Sequence, residues 1–179
     1  MKMMHALILL VLLAAVASAK TEVTSVGPYN ISFDLNTTME YNVSSQWDDA
    51  NATSTMNIKF SNDTEAVIGV TNETVWECSD LSSDLRYLNL ALNYDKALGN
   101  INDGDLSERT IDGKPGIEAI ETFERDGKVS NVTIAKYWLD SKVIENYNIS
   151  VGMTKVEIIA KFPMNLSENL LNTIQVKMT

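Results

Sequence analysis

The chain has 179 residues and a formal net charge of −10, because 24 acidic residues outnumber 14 basic ones. Such an acidic chain is a poor partner for nucleic acid or anionic lipid. It contains one histidine, His5, and one cysteine, Cys78. Without His5, which lies in the leader described next, the chain lacks the residues for a Ser/His/Asp triad, a Cys/His pair, a haem-attachment motif, an iron–sulfur site or an ordinary zinc site. We therefore expect a protein that is not an enzyme and that has no cofactor or metal.

The first nineteen residues have the features of a secretory signal peptide. Lys2 is followed by an apolar run and by the small residues Ala17-Ser18-Ala19. The run is about a dozen residues long, below the ~18 to 20 needed to span a bilayer. We predict cleavage after Ala19, no membrane span in the mature chain, and a location outside the cell or on the extracellular face of its envelope. The remaining 20–179 segment is long enough for one domain.

Asn-x-Ser/Thr sequons are the strongest compositional signal. Nine occur, where this composition gives about three by chance. The excess predicts N-linked glycans, although a β surface rich in Ser, Thr and Asn also generates sequons by composition alone. The glycosylation candidates are Asn30, Asn36, Asn42, Asn51, Asn62, Asn72, Asn131 and Asn148.

The spacing of the first three candidates is six residues, so they would share one face of an unbroken strand. The ninth sequon asparagine, Asn165, is a weaker acceptor. It stands where a helix N-cap is expected, with Glu168 in capping-box spacing.

Period-two alternation predicts most of the secondary structure. Apolar and polar residues alternate from Tyr29 to Leu35, which indicates a strand with one wet face. Asp126-Gly127 is a hairpin dipeptide, and a second tight connection is expected at 139–142. Further strands are predicted over 41–47, 55–60, 66–71, 108–125, 128–139, 142–162 and 175–178.

Helical spacing appears in two places. Leu81, Leu85, Leu88 and Leu92 predict an amphipathic helix over 82–98, and a shorter apolar stripe predicts a closing helix over 166–174. The expected fold class is therefore α+β, a mainly antiparallel β-sheet covered by one long and one C-terminal helix.

Three phrases occur in order along the chain: YNISFDL at 29–35, TIDGKPGIEA at 110–119 and LSENLLNTIQV at 166–176. Together they resemble the Mog1/PsbP-like fold, especially the small exported PsbP-related proteins of archaea and bacteria. A Pro-x-x-Trp phrase often seen in relatives is absent, and residues 36–39 stand in its place. The resemblance implies one PsbP-like α+β domain over 20–179.

Members of that family include a docking factor for a small GTPase and an extrinsic subunit of the photosynthetic oxygen-evolving complex. Both act by binding partners. The resemblance therefore implies a non-catalytic adapter, and it transfers no catalytic residue, because fold does not determine function.

Carboxylates are the abundant acid–base groups that remain. Glu118, Glu121, Glu124 and Asp126 crowd one segment, but a glycosidase needs two carboxyl groups about 5 to 10 Å apart across a cleft. In a strand, Glu118 and Glu124 share a face that Glu121 opposes. We interpret the cluster as a solvated sheet face.

The loop from Asn100 to Glu108 is rich in oxygen ligands, but it is one residue short of the calcium-binding EF-hand register. An ordinary turn uses the same residue types, and calcium binding stays open. Cys78 is expected to be buried as a small hydrophobe, with an intermolecular disulfide as the alternative.

Three tryptophans, Trp47, Trp76 and Trp138, suggest either an aromatic binding platform or ordinary core packing. Tyr137 and Trp138 point to opposite faces of one strand, so one of the two is expected to be exposed. These two residues are the candidates for contact with a partner.

Three functions are compatible with these features. The first is an exported, N-glycosylated, non-catalytic binding or adapter protein of the cell envelope, whose partner is a protein or an envelope component. The second is a structural subunit of a surface layer, sheath or filament that self-assembles through long strands. The third is a carboxylate-based hydrolase.

Overall fold

The computed structural model describes residues 21–62, 64–72, 88, 93, 105–125, 128–145 and 149–179. These residues form two antiparallel β-sheets and one α-helix, α1 (Met164–Thr173). The strands are β1 (Glu22–Val26), β2 (Tyr29–Phe33), β3 (Tyr41–Asp48), β4 (Thr53–Phe60), β5 (Glu65–Asn72), β6 (Asp105–Ile111), β7 (Lys114–Arg125), β8 (Lys128–Ile144), β9 (Ile149–Ala160) and β10 (Gln175–Met178).

The small sheet has the strand order β1-β2-β10, and the large sheet has the order β3-β4-β5-β9-β8-β7-β6. Apolar side chains from both sheets and from α1 form one continuous core, in which the Tyr29, Ile31 and Phe33 side chains are fully buried. We call the side of the large sheet that faces this core its inner face. The opposite side is the outer face.

Alternation of apolar side chains produces the strands of this core. In β5, Ala66, Ile68 and Val70 are buried while their neighbours are half-buried, as expected for a strand with one face in the core. The strands predicted over 29–35, 41–47, 55–60, 66–71 and 175–178 are confirmed, although several bounds shift slightly.

The expected fold class, a sheet covered by one long and one C-terminal helix, is wrong. Strands form most of the described part of the chain, and α1, with ten residues, is the one helix whose bounds lie there, although Leu88 and Asn93 are also α-helical. The helix predicted over 82–98 lies outside the described residues except for Leu88 and Asn93. The antiparallel character is confirmed, but the described strands divide between two sheets, and the small sheet packs with α1 against the inner face of the large one.

One predicted strand and one predicted connection are wrong. The segment 108–125 is a hairpin, because Asp112 and Gly113 both have positive φ, 52° and 70°, and Ile111 pairs with Lys114 across them. This two-residue Asp-Gly turn matches the right-handed twist of its strands. Conversely, 139–142 is no turn: β8 continues through a register irregularity between Trp138 and Ser141. Strand β1 was not predicted.

The predicted hairpin at residues 126–127 agrees with the pairing around it. Strands β7 and β8 are antiparallel, and Arg125 pairs with Lys128. The two turn residues themselves lie outside the described residues.

Helix α1 docks on the core through the predicted stripe, since Leu166, Leu170, Leu171 and Ile174 are all buried. Pro163, and not Asn165, occupies the N-cap position, and no side chain caps the helix. The predicted capping box is therefore wrong. Within the described ranges, no helix is long and apolar enough to cross a membrane.

A second, smaller apolar cluster lies on the outer face. It contains buried Leu88, Ile117 and Ala119, with Ile134 and Trp138 packed against it. Leu88 belongs to the apolar stripe predicted over 81–92, so this position of the stripe contacts the sheet.

Candidate functional site

The described sequon asparagines are well placed for modification. Asn30 is half-buried, and the others are exposed. Exposure is what a glycan acceptor requires, because the sugar has to project into solvent. The exposed candidates are Asn36, Asn42, Asn51, Asn62, Asn72 and Asn131, to which the weaker candidate Asn165 is added.

The first three candidates do not share one strand face. Asn30 lies in β2, the central strand of the small sheet, whereas Asn42 lies in β3 of the large sheet. Between them Asn36 adopts a positive φ of 47°, and its N–H donates to the Asp34 carboxylate at 2.7 Å. The strand ends at this turn, so the spacing of six residues does not place the three asparagines on one face.

Turn sequons are held by local hydrogen bonds. Oδ1 of Asn62 accepts from both the backbone N–H and the hydroxyl of Thr64, at 3.2 and 2.7 Å. In the β3–β4 turn, Nδ2 of Asn51 donates to Asp48 at 2.8 Å. This hydrogen bond, together with those from the backbone of Ala50 and Asn51, lowers the pKa of Asp48 below its usual value.

Asn72 ends β5 in a different environment. Its Oδ1 accepts hydrogen bonds from the hydroxyls of Tyr29 at 3.0 Å and Thr154 at 2.9 Å, which ties the two sheets together. Desolvation is the main cause of the raised pKa of Tyr29. Asn72 therefore combines an exposed amide with a structural role.

The interpretation of the carboxylate cluster as a solvated face is wrong for its described members. Glu118 is 5% exposed and Glu121 is 1% exposed. Glu118 lies on the inner face, where its Oε2 accepts from Nη1 of Arg109 on β6 at 2.7 Å. The side chains of Glu124 and Asp126 lie outside the described part.

The Arg109 guanidinium joins the large sheet to α1. It contacts Glu168 at 3.2 Å and donates to Oδ1 of Asn172 at 2.8 Å. Burial works against its charge, but the hydrogen bonds and charges of Glu118 and Glu168 outweigh burial and raise the pKa of Arg109. The glutamate that sequence reasoning assigned to a capping box thus serves a tertiary ion pair instead.

This arrangement does not form a hydrolytic pair. Glu118 and Glu121 occupy opposite faces of β7, because they are three residues apart in an extended strand. Among the described residues, no group of three His, Cys, Asp or Glu side chains is placed to hold a metal ion. Glu118 can be buried because its carboxylate is paired with the Arg109 guanidinium.

The outer face carries a second shielded ion pair. Nζ of Lys136, on β8, contacts Oε1 of Glu157, on β9, at 2.8 Å, and the Lys136 side chain is only 9% exposed. The two residues are cross-strand partners, so this pair also fits a structural role.

The described tryptophans do not form a platform. The Trp47 ring lies against Gly27 of the β1–β2 turn, whose φ is +57°, and the Trp138 ring lies against Gly152 of β9. Trp138 belongs to the outer cluster, and Trp47 pairs with Ser54 on the inner face. Each ring packs over a glycine, because a Cβ there would overlap it.

Of the two partner-contact candidates, Tyr137 is fully buried and Trp138 is half-buried. The Tyr137 hydroxyl donates to Oδ2 of Asp112 at 3.3 Å. Burial, and then the charge of Asp112, raise the pKa of Tyr137 far above its usual value. Tyr137 therefore offers no surface to a partner in this fold, and the contact prediction stays with Trp138.

Sequence reasoning missed the role of Asp112, whose carboxylate also accepts from the Val176 N–H at 3.1 Å and contacts Nζ of Lys114 at 3.4 Å. The dipeptide Asp112-Gly113 was the available signal, because Asp-Gly marks a type I′ hairpin turn. It was overlooked because the surrounding alternation suggested one long strand.

Two open clefts are present in the described part of the chain. The first, of about 570 Å³, lies around the β2–β3 connection, where burial and the charges of Glu22 and Asp34 raise the pKa of Tyr41. The second, of about 670 Å³, lies between the β6–β7 hairpin and the end of α1, and Asp112 and Asn172 line it. Both linings are mainly polar, unlike the apolar pockets that usually hold small ligands.

Several predictions fall on residues outside the described part. They concern the leader over 1–19, Trp76, Cys78, the sequon at Asn148 and the first five residues of the oxygen-rich loop at 100–108. Glu108, the last residue of that loop, lies in β6.

Taken together, the fold and its surfaces define an antiparallel two-sheet β-protein in which the buried Glu118 pairs with Arg109 and the described sequons are mainly exposed. No protein-family model matches the chain, and no curated protein matches it.

Proposed function

We propose that this chain is an exported, N-glycosylated, non-catalytic binding or adapter protein of the cell envelope. The observation that carries the proposal is the exposure of sequon asparagines in strands of the large sheet and in the connecting turns, from Asn36 to Asn131. Together with the leader-like first nineteen residues, this is the surface expected of a secreted glycoprotein.

The assignment to binding rather than catalysis is supported by the pairing of two shielded charges. Glu118 is paired with Arg109, and Lys136 is paired with Glu157. Charges committed to ion pairs inside a fold are poor general acids or bases, since catalysis needs a group that is free to exchange its proton with a substrate. The resemblance to the PsbP-related proteins points to the same class, and the partner is a protein or another envelope component.

Native protein purified from the envelope tests the proposal directly. We expect an N-terminus at Lys20, an intact mass above that of the bare polypeptide, and sedimentation as a monomer or small oligomer. An N-terminus at Met1 together with an unmodified mass would refute export and glycosylation.

A structural subunit is the second candidate, and one observation favours it. Strand β3 ends the large sheet, and its first seven residues carry no charge. Such an edge is suited to pairing with another chain. A native polymer that resists dilution would support this candidate over the adapter.

A further inference from the structure

The edge strand β3 is the starting point. Among the described strands it pairs only with β4, and all eight of its residues have a partner there, Tyr41 with Phe60 through Asp48 with Thr53. The register has no bulge. No residue of β3 is buried, and Asn42, Ser44, Ser45 and Gln46 are exposed. This edge is therefore long, regular and open among the described elements.

Natural proteins protect such edges with short strands, charged side chains, prolines or bulges. The other described edges use these devices. Strands β1 and β10 have only five and four residues, and the seven residues of β6 include Asp105, Glu108 and Arg109. Strand β3 has neither a proline nor a bulge, and its one charged residue, Asp48, is the last.

The composition of β3 increases its tendency to pair with another strand. Tyr41, Val43 and Trp47 are strong strand formers, and the seven residues 41–47 are uncharged. An uncharged window of this length with high strand propensity is the usual signature of strand-to-strand association.

The feature that distinguishes β3 from the other described edge strands is a sequon, Asn42-Val43-Ser44. Asn42 and Ser44 are both exposed on the outer face, opposite Lys59 and Asn57 of β4. We propose that a glycan on Asn42 prevents the β3 edge of one copy from pairing with the β3 edge of a second copy. This inference rests on the proposed export and glycosylation, and it assigns a specific role to one sugar.

One symmetric pairing of two β3 edges illustrates the contact that the glycan would block. An antiparallel pairing of two β3 strands about Ser45 brings Val43 opposite Trp47 of the second copy, and Asn42 opposite Asp48. No like charges meet within the strands. Opposed side chains stand about 4.5 to 5.5 Å apart at Cβ, so an oligosaccharide on Asn42 would crowd Asp48 of the second copy and the residues beside it.

Substitutions at Ser44 test the proposal while keeping Asn42. The full-length chain, produced through its exporting host, is compared with Ser44→Ala, which destroys the sequon, and with Ser44→Thr, which keeps it. Asn62→Gln is a second control, because it removes a sequon in the β4–β5 turn and leaves β3 itself unchanged. Glycopeptide mass gives the occupancy of each site, and sedimentation over a range of concentrations gives the assembly state.

We expect sugar on Asn42 of the parent and of Ser44→Thr. Ser44→Ala should lose that sugar and associate as its concentration rises, whereas Ser44→Thr and Asn62→Gln should sediment like the parent. In the double variant Ser44→Ala/Gln46→Lys, the added charge on the edge should restore the parent behaviour.

Other outcomes overturn the inference in distinguishable ways. If Ser44→Ala lost its sugar and still sedimented like the parent, the glycan would not guard the edge. Association that persisted in the Gln46→Lys double variant would place the contact elsewhere. A bare Asn42 beside other glycosylated sites would remove this inference and leave the proposed function standing, whereas the absence of sugar from every sequon would remove both.

Discussion

The carboxylate of Asp112 accepts a hydrogen bond from the hydroxyl of Tyr137 at 3.3 Å, and the same oxygen accepts from the backbone N–H of Val176 at 3.1 Å. Tyr137 belongs to the large sheet and Val176 to the small one. One side chain at the tip of the β6–β7 hairpin thus joins the two layers, and its positive φ of 52° places it there.

Tyr137 should make stability fall at high pH. Burial, with the nearby Asp112 charge, raises the pKa of Tyr137 above its ordinary value of 10.0. Above about pH 10 the unfolded chain therefore releases a proton that the native state retains, so the free energy of unfolding decreases as pH rises. Urea denaturation between pH 8 and about pH 11 measures this slope.

Tyr137→Phe is the matched variant, because it keeps the ring and removes the ionisable group. Its slope above about pH 10 should be shallower than that of the parent. Equal slopes for the two proteins would show that Tyr137 does not contribute to the alkaline loss of stability.

Arg109→Met should destabilise the fold, because it leaves the Glu118 carboxylate buried without its cation. We expect the free energy of unfolding to fall by about 1 to 3 kcal/mol. This is less than for a fully buried pair, because Glu168, the second partner of Arg109, is partly exposed. Chemical denaturation measures the loss. Arg109→Met/Glu118→Gln should recover part of it, since no charge then remains at that position.

A surface pair supplies the control for this experiment. Lys161 and Glu65 contact each other at 3.2 Å, with side chains 57% and 41% exposed. Lys161→Met should cost no more than about 1 kcal/mol. An equal loss in Arg109→Met and Lys161→Met would contradict a structural role for the Arg109 network.

Gly152→Ala should be destabilising, because a Cβ at this position would overlap the indole of Trp138. Overpacking of this kind typically costs about 1 to 3 kcal/mol. Gly69→Ala is the matched control within the same sheet: its nearest neighbour would be the Glu157 carbonyl oxygen at 4.0 Å, so it should be neutral or slightly stabilising. Thermal unfolding of both variants measures the difference. Similar melting temperatures would contradict the close packing of Trp138 against Gly152.

Leu170→Ala tests whether the apolar stripe of α1 belongs to the core. Leu170 is fully buried, and its truncation should cost about 2 to 5 kcal/mol. Leu106, 37% exposed on β6, is the control, and Leu106→Ala should cost much less. Melting of Leu170→Ala at the parent temperature would mean that α1 does not depend on this contact.

The local sequence pattern was sufficient to predict an element where one of its faces packs against the core. The alternation in β2 and β5 and the stripe of α1 are visible in the sequence, because burial of one face imposes a period of two or 3.6 residues. The signal for the β6–β7 turn was also local in the sequence. Its Asp-Gly signal was present but lay within an alternation that hid it.

Other features depend on contacts between residues far apart in the chain, which no local pattern encodes. Pairing of β10 with β2 and of β9 with β5 decided that there are two sheets. The burial of Glu118 was equally unpredictable, because a glutamate is normally solvated unless a cation meets it, and its cation, Arg109, reaches it only through the β6–β7 pairing. Local pattern was enough to predict strands such as β2 and β5 and to mark the sequons, whereas open edges and buried charges emerge only in the folded chain, because both depend on long-range pairing of strands.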